Sequence, residues 1–244
     1  MHKASLLRMK WFRDNYLNVS IPNKTRILDV GSYDVNGNYK ILFPDKKFDY
    51  TGLDMVKGPN VDIVLENPYD WSSIKNDSYD VLISGQTFEH TEFFWITLAE
   101  MIRVLKVDGI LCIIAPNGVG EHRCPVDCYR FFSDGMVAFA RYFDLEIIHV
   151  DTNCGPKPTY KHLRWYSHKK ADSMLIAKKR YTGIARVIDL SKYRCVPINQ
   201  NDFSSQMVPY RELSYLSKFI VKYYYFYDRL KILLYYLRVG FPHK

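Results

Sequence analysis

Two acidic residues stand directly after short apolar segments, one βαβ step apart, and both could serve a nucleoside ligand. The first segment, Ile27-Leu-Asp-Val-Gly31, ends in an acid and a glycine, and turn-forming residues follow at once. The second, Tyr50-Thr-Gly-Leu-Asp54, ends in an acid whose carboxylate could accept hydrogen bonds from both hydroxyls of a ribose. Ligands of α/β sheets bind at the carboxyl ends of the strands. Because only Gly31 and Gly37 stand where a dinucleotide site has G-x-G-x-x-G, the pattern favours a nucleoside cofactor and disfavours NAD.

The elements that would position these acids alternate between strand and helix patterns. Amphipathic helices are predicted over residues 4–17 and 93–105, and Lys106-Val-Asp-Gly109 indicates a stop after the second. The alternation predicts an α/β fold with a mostly parallel seven-stranded sheet and helices on both faces. No convincing helix pattern separates the last two strands, which predicts an antiparallel hairpin at the sheet edge. The strand patterns occur at residues 26–30, 49–53, 62–65, 81–84, 110–115, 145–150 and 174–177.

Charge divides the chain of 244 residues into two unlike parts. Residues 1–154 carry 16 basic and 21 acidic side chains, whereas residues 155–244 carry 18 and 5, so the net charge of +8 comes from the C-terminal part. Such a part could face nucleic acid, anionic lipid or a polyanionic partner, and it could equally be a solvated surface. We predict a cofactor-binding domain over residues 1–180 and a basic, aromatic-rich helical extension over residues 181–244.

The extension carries an apolar seam at helical spacing. Its internal charges exclude a simple transmembrane span. The first interpretation is packing on the chain's own core or on a second copy in a homodimer, and the second is peripheral contact with a membrane. Nucleic-acid binding comes third because the aromatic residues sit at core spacing rather than among the basic residues. The seam comprises Leu216, Phe219, Tyr223, Phe226, Leu230, Leu233 and Leu237.

The cysteines and the first residues indicate a cytoplasmic protein. Five cysteines without regular spacing do not predict a disulfide framework. The first ten residues lack the apolar segment of a secretory signal. His122, Cys124 and Cys128 have no second pair of ligands nearby in the sequence, so we predict no metal. A divalent ion bound together with substrate is left open.

Four blocks of sequence, in their order and spacing, resemble class I S-adenosylmethionine (SAM)-dependent methyltransferases of the type-11 branch. The resemblance covers about residues 20–180. It implies a Rossmann-like fold, SAM as the cofactor and S-adenosylhomocysteine as its product. A further segment, from His122 to Phe131, resembles one found in members associated with bacterial surface-polysaccharide (capsule) biosynthesis. The four blocks are Ile27–Gly31, Gly52–Asp54, Asp80–His90 and Glu100–Lys106.

The resemblance implies cofactor contacts at the strand ends. The first motif would pass near the methionine end of the cofactor, and Asp54 would bind the ribose. Asn67 would lie beside the adenine, although Asn-Pro is also a turn signal in any fold. Gln86 would meet the sulfonium end, with a surface polar residue as the alternative. Tyr33 stands where the motif usually has a second glycine. The implied cofactor residues are Asp29, Gly31, Ser32, Asp54, Met55, Asn67 and Gln86.

The candidates for the substrate side lie on two loops that follow parallel strands. Transfer of a methyl group is an in-line displacement, in which a hydroxyl acceptor benefits from a base and an anionic oxygen from a cation. His122 is the first candidate for a catalytic base and His90 the second, with helix capping as the alternative for His90. Arg130 suits a phosphoryl or carboxylate group, with Arg123 and Asp127 as further substrate residues. An ion pair between Asp127 and Arg130 is the alternative.

These features predict a SAM-dependent methyltransferase that acts on an oxygen of a small anionic or sugar-linked molecule. The anionic group would be a phosphoryl or carboxylate group, and the resemblance of residues 122–131 implies a role in surface-glycan biosynthesis. One alternative is an RNA methyltransferase, although Ser84-Gly-Gln-Thr87 follows the fourth strand where base methyltransferases have an Asn-Pro-Pro-Tyr type of motif. Another alternative is a non-catalytic SAM-binding protein, or a scaffold that docks through its C-terminal helix.

Overall fold

The computed structural model describes residues 3–17, 24–44, 46–118, 120–152 and 172–181. All of them belong to the first of the two units into which the chain divides, residues 1–188. The predicted C-terminal seam, and the extension from residue 182 onwards, lie outside the described residues. The domain boundary at residue 180 therefore stays a prediction.

Seven strands of the described residues form a single, mostly parallel sheet. Their order across the sheet is β3-β2-β1-β4-β5-β7-β6, and β7 is antiparallel to both of its neighbours. This confirms the predicted α/β sheet and its antiparallel edge pair. The strands are β1 Thr25–Val30, β2 Phe48–Asp54, β3 Ile63–Val64, β4 Tyr79–Gly85, β5 Leu105–Pro116, β6 Glu146–Thr152 and β7 Asp172–Lys178.

Helices cover both faces of the sheet because alternate strand residues point to opposite sides. Helix α1, Lys3–Phe12, packs Met9 and Phe12 on one face and continues into a π-helical turn, Arg13–Leu17. Helices α2, Phe94–Val104, and α3, Ser133–Tyr142, cover the other face. The first face buries Ile27, Val81, Ile83, Cys112, Ile114 and Ile176, and the second buries Leu28, Leu82, Leu111, Ile113 and Leu175.

Two details differ from the sequence patterns. Helix α3 was not predicted, since its sequence contains Gly135 and buries only Met136 and Ala140. The stop predicted after the helix that ends at Val104 is instead an irregular part of β5. There Leu105 pairs with Tyr79 and Ile110 with Val81, so residues 106–109 form a bulge. Within the described residues, none of the helices has both the length and the apolar character needed to cross a bilayer.

An ion pair between a buried lysine and a part-exposed aspartate joins the end of the sheet to the loop before β4. Lys179 directly follows β7 and is fully buried. Its Nζ donates to Asp77 Oδ1 and to the Leu105 carbonyl, both at 2.7 Å. A buried charge that lost its partner would be costly.

The strand order reverses at β1. From β1 the chain proceeds to β2 and β3 at one edge and then returns to β4 on the other side of β1. In open α/β sheets this reversal leaves a crevice outside the carboxyl ends of the two central strands, where ligands bind. The residues after β1, β2 and β4 are therefore placed around one crevice.

Candidate functional site

Gly31 turns the chain at the end of β1 in a conformation that favours glycine. Its φ is +80°, and a methyl group at this position would overlap the side chain of Thr87, which follows β4. The amides of Gly31 and Ser32 both donate to the Leu53 carbonyl, at 2.9 and 3.1 Å. Ser32 is buried, and its hydroxyl donates to the Asn60 carbonyl at 2.9 Å. The turn is thus hydrogen-bonded to the end of β2 and packed against Thr87, which follows β4.

Asp54 ends β2 with a partly exposed carboxylate that also holds the neighbouring loops. Its Oδ2 accepts the amide of Tyr33 at 3.0 Å and its Oδ1 accepts the amide of Val56 at 3.2 Å. Each carboxylate oxygen has two lone pairs, so both can accept a further hydrogen bond from a ribose hydroxyl. The side chains of Tyr33, Met55 and Val56 are 38%, 50% and 52% exposed. A carboxylate flanked by exposed apolar side chains has the chemistry to hold a nucleoside, through the ribose hydroxyls and the face of the base.

Asp29 lies near the end of β1, two residues before the Gly31 turn. Its side chain is buried in β1, and the Tyr50 hydroxyl donates to its Oδ2. Burial raises the pKa of Asp29 to about 7, the Tyr50 hydrogen bond opposes that shift, and the charge of Asp54 adds to it. The buried Asp29 side chain therefore links β1 to Tyr50 of β2, just before the Gly31 turn.

The remaining cofactor candidates lie at two other strand ends. Asn67 is exposed after β3, and its side-chain oxygen accepts the amide of Tyr69 at 3.0 Å, which is a local turn. Gln86 follows β4 with φ at +61°, an uncommon conformation for a residue with a side chain. Its Nε2 donates to Asp172 Oδ1 at 3.1 Å, at the start of β7. Gln86 thus links the crevice to the antiparallel edge.

Both candidate histidines come together, with a glutamate between β4 and α2 that the sequence analysis did not single out. The rings of His90 and His122 meet edge to face, with centroids 5.0 Å apart. Glu89 is fully buried, and no other residue donates a hydrogen bond to either of its carboxyl oxygens. Burial raises the pKa of Glu89 to about 8, and burial together with the nearby His122 lowers the pKa of His90. One ligand atom from each of the three side chains lies within 4.8 Å of the other two.

The loop that carries His122 is docked on the segment that carries His90. The amides of Cys128 and Tyr129 donate to the Glu89 carbonyl, at 2.7 and 3.3 Å. The Tyr129 hydroxyl donates to the Glu92 carbonyl at 2.8 Å. His90 Nδ1 bonds the Val126 carbonyl at 2.6 Å. Four hydrogen bonds therefore hold the two loops together over the crevice.

Asp127 and Arg130 form an ion pair inside this loop. Arg130 Nη1 and Nη2 donate to the two Asp127 oxygens at 2.5 and 2.7 Å, and Nη2 also donates to the Gly120 carbonyl. This hydrogen-bonded pairing lowers the pKa of the Asp127 carboxyl below its ordinary range and raises the pKa of Arg130. The side chain of Arg123 is 75% exposed, and its Nε donates to Glu121. Of the two arginines, Arg123 is the one that extends into solvent.

Three residues of the site were missed from the sequence. Tyr50 and Thr87 read as ordinary strand and loop residues, yet one donates to Asp29 and the other contacts Gly31. Glu89 could have been noticed as an acid next to His90, four residues after the apolar strand β4 ends. The position of Glu89 in the sequence does not indicate that its side chain is buried.

Two concavities of the described residues lie elsewhere. One, of about 300 Å³, lies between α1 and the β6–β7 edge and includes Arg8 and Asp151, which pair with each other. The other, of about 570 Å³, is an apolar groove between α2 and α3 lined by residues such as Trp95 and Phe139. Neither contains a residue of the crevice, so the site is defined by the strand ends.

Comparison with known proteins agrees with this geometry. Residues 44–113 match the family model described as a methyltransferase domain. Among solved structures, the chain is similar to 1,6-didemethyltoxoflavin-N1-methyltransferase of Burkholderia thailandensis, determined with S-adenosylhomocysteine (14% identity, 73% of this chain, 80% of that chain, TM-score 0.55). It is also similar to a SAM-dependent methyltransferase of Archaeoglobus fulgidus (14% identity, 72% of this chain, 95% of that chain, TM-score 0.51). A third similar structure is the [4+2]-cyclase SpnF (15% identity, 72% of this chain, 81% of that chain, TM-score 0.54). A search of curated proteins finds no match.

The structures at this level of identity establish the fold, and the matched domain indicates the activity. Together, the methyltransferase-domain match over residues 44–113 and these structural neighbours support a SAM-dependent methyltransferase activity on a Rossmann-like fold. SpnF shows why the fold alone would not suffice, since a protein named as a cyclase shares it.

Proposed function

We propose that this methyltransferase transfers the methyl group to an oxygen of a small molecule bound between the Gly31 turn and the loop of His122. The observation that carries the proposal is the juxtaposition of two halves of a site. The Gly31 turn and Asp54 suit the cofactor, and Thr87, which touches Gly31, leads within three residues to His90. Histidines next to the transferring group suit activation of a hydroxyl.

The acceptor is proposed to be an anionic metabolite or sugar precursor of surface-glycan biosynthesis. Arg123 supports the anionic class, because its exposed guanidinium follows His122 directly and can meet a phosphoryl or carboxylate group. The resemblance of residues 122–131 to members associated with surface polysaccharides supports the setting. Arg130 serves this function by shaping the loop, since its guanidinium pairs with Asp127.

Calorimetry with S-adenosylhomocysteine tests the cofactor half. We expect saturable binding that Asp54→Asn weakens by at least about tenfold, because one carboxylate acceptor becomes an NH2 donor and the other loses its charge. Asp49→Asn is the matched control, since Asp49 lies on the same strand at the opposite end. Absence of binding to the wild-type chain would overturn the proposal, as would equal losses in both variants.

The acceptor half is tested by a screen for methyl transfer. Sugar nucleotides, glycosyl phosphates and small phosphorylated amino acids are offered with labelled SAM, and RNA is included as the competing class. We expect transfer to an anionic small molecule, with a raised KM in Arg123→Gln. Transfer to RNA alone would overturn the proposed acceptor class. A protein that binds S-adenosylhomocysteine but methylates none of these would count against it and favour a non-catalytic role.

A further inference from the structure

We propose that Glu89, His90 and His122 form a binding site for one divalent transition-metal cation that holds the acceptor oxygen beside the cofactor. One carboxylate oxygen and two imidazole nitrogens are a donor set that suits first-row divalent cations such as Zn²⁺, Mn²⁺ and Co²⁺. The three ligand atoms lie within 4.8 Å of one another. The role in acceptor binding rests on the proposed function, whereas the metal site itself does not.

The first observation is the carboxyl group of Glu89. Its side chain is 0% exposed, and no other residue donates a hydrogen bond to either Oε atom. Buried polar groups are nearly always satisfied, and an unsatisfied one calls for an explanation. The nearest imidazole nitrogen is Nε2 of His90, 3.7 Å from Oε1, which is too far for a hydrogen bond. A cation between these groups would satisfy the carboxylate.

The second observation is how the two imidazoles are held. His90 Nδ1 bonds the carbonyl of Val126 at 2.6 Å, and His122 Nδ1 bonds that of Gly120 at 3.0 Å. A carbonyl oxygen can only accept, so both Nδ1 atoms must donate. In the neutral imidazoles this leaves the lone pairs on Nε2. Histidines that bind metals are commonly oriented by a hydrogen bond of this kind from the other nitrogen.

The third observation is that His122 is fixed while remaining accessible. Its backbone amide donates to Asp127 Oδ2 at 2.6 Å, and Asp127 is in turn held by Arg130. The imidazole itself is 49% exposed. A cation held here would be anchored on the side of Glu89 and open on the side of solvent, where an acceptor could complete its coordination.

The position next to the cofactor residues gives such a cation a role. Thr87 contacts Gly31, and its carbonyl accepts the amide of His90 at 2.9 Å. A hydroxyl bound to the cation would be acidified and would release its proton to water. In the transfer, the acceptor oxygen forms the bond to the methyl carbon. The bond from that carbon to sulfur breaks with its electron pair going to sulfur, which leaves the thioether.

Titration of the full chain with Co²⁺ tests the site without using activity. After treatment with EDTA and removal of any affinity tag, binding is followed by visible absorption, and stoichiometry by elemental analysis. We expect one Co²⁺ per chain, displaced by Zn²⁺. We expect affinity to fall by at least about tenfold in His122→Ala, whose half-exposed position makes misfolding a minor concern, and in Glu89→Gln. His149→Ala, on β6 and outside the cluster, is the matched control and should bind as the wild type does.

Several results would overturn the metal site. They are absence of saturable Co²⁺ binding in the wild type, unchanged affinity in His122→Ala, or an equal loss in His149→Ala. Binding of S-adenosylhomocysteine is measured on the same preparations, so that the two proposals fail separately. Co²⁺ bound at these residues without any binding of S-adenosylhomocysteine would support the metal site and overturn the proposed function.

Discussion

Replacement of Asp29 by asparagine should change how the stability of the protein depends on pH. Asp29 is 2% exposed, and its pKa is raised from an ordinary 3.8 to about 7. The folded chain therefore keeps a proton that the unfolded chain releases at much lower pH. As pH rises from about 4 to about 7, this difference lowers the free energy of unfolding of the wild type. Above about pH 7 Asp29 is ionised in both states, and the loss of stability stays constant.

The size of the effect follows from the shift. About three pH units at about 1.36 kcal/mol each give a penalty of up to about 4 kcal/mol at neutral pH. Asparagine does not titrate, and its side-chain oxygen can still accept the hydrogen bond from Tyr50. The free energy of unfolding of Asp29→Asn, relative to the wild type, should therefore increase by up to about 4 kcal/mol between pH 4 and pH 7.

Urea unfolding without cofactor, followed by circular dichroism at several pH values from 4 to 8, measures this difference. Asp49→Asn, an exposed change on β2, should show no comparable trend. A difference between Asp29→Asn and the wild type that stays constant with pH would refute the reasoning. A variant that loses relative stability as pH rises would refute it too, because the carboxylate would then be ionised and stabilising in the folded protein.

Three further changes test the packing of the site and of the sheet. Gly31→Ala should destabilise the fold by about 1–3 kcal/mol in thermal or urea unfolding and abolish measurable binding of S-adenosylhomocysteine. The reason is that the new methyl group would sit at positive φ and overlap the side chain of Thr87. Gly135→Ala, which has open space around it, should keep both the stability and the binding. Arg130→Gln should make the loop of residues 120–130 more sensitive to limited proteolysis, whereas Arg123→Gln should leave the cleavage pattern unchanged; equal patterns would refute the structural role of the ion pair. Asp77→Ala should cost about 2–3 kcal/mol in urea unfolding, because it leaves the buried Lys179 cation with only the Leu105 carbonyl, while the part-exposed position of Asp77 screens the pair; a loss below about 1 kcal/mol would contradict this.

The sequence predicted the parallel part of the sheet because each central strand is a short apolar run that ends in a distinctive residue. Asp29 and Gly31, Asp54, and Gln86 mark three such ends; the structure places Gly31, Asp54 and Gln86 next to the crevice and buries the Asp29 side chain within the sheet. Helix α3 was not predicted because its apolar residues are few. Local pattern is a poor guide to a helix that owes its place to packing on a sheet.

The substrate side shows what sequence cannot supply. The spacing of Asp127 and Arg130 allowed either an ion pair or a grip on an anion, and only the folded loop shows the pair. Glu89 was overlooked for a related reason. Whether a glutamate is exposed or buried without a donor depends on the chain that covers it, here the loop of Cys128 and Tyr129 that lies more than thirty residues away.

The docking of the 120–130 loop on the segment of Glu89 to Glu92 bears on the timing of turnover. Four hydrogen bonds join them, and at about 1 kcal/mol each an undocked loop would be present in roughly one molecule in a thousand. The docked loop is therefore the conformation that an arriving acceptor meets in nearly every molecule. Any turnover step that needs the loop to undock would have to draw on that small open population.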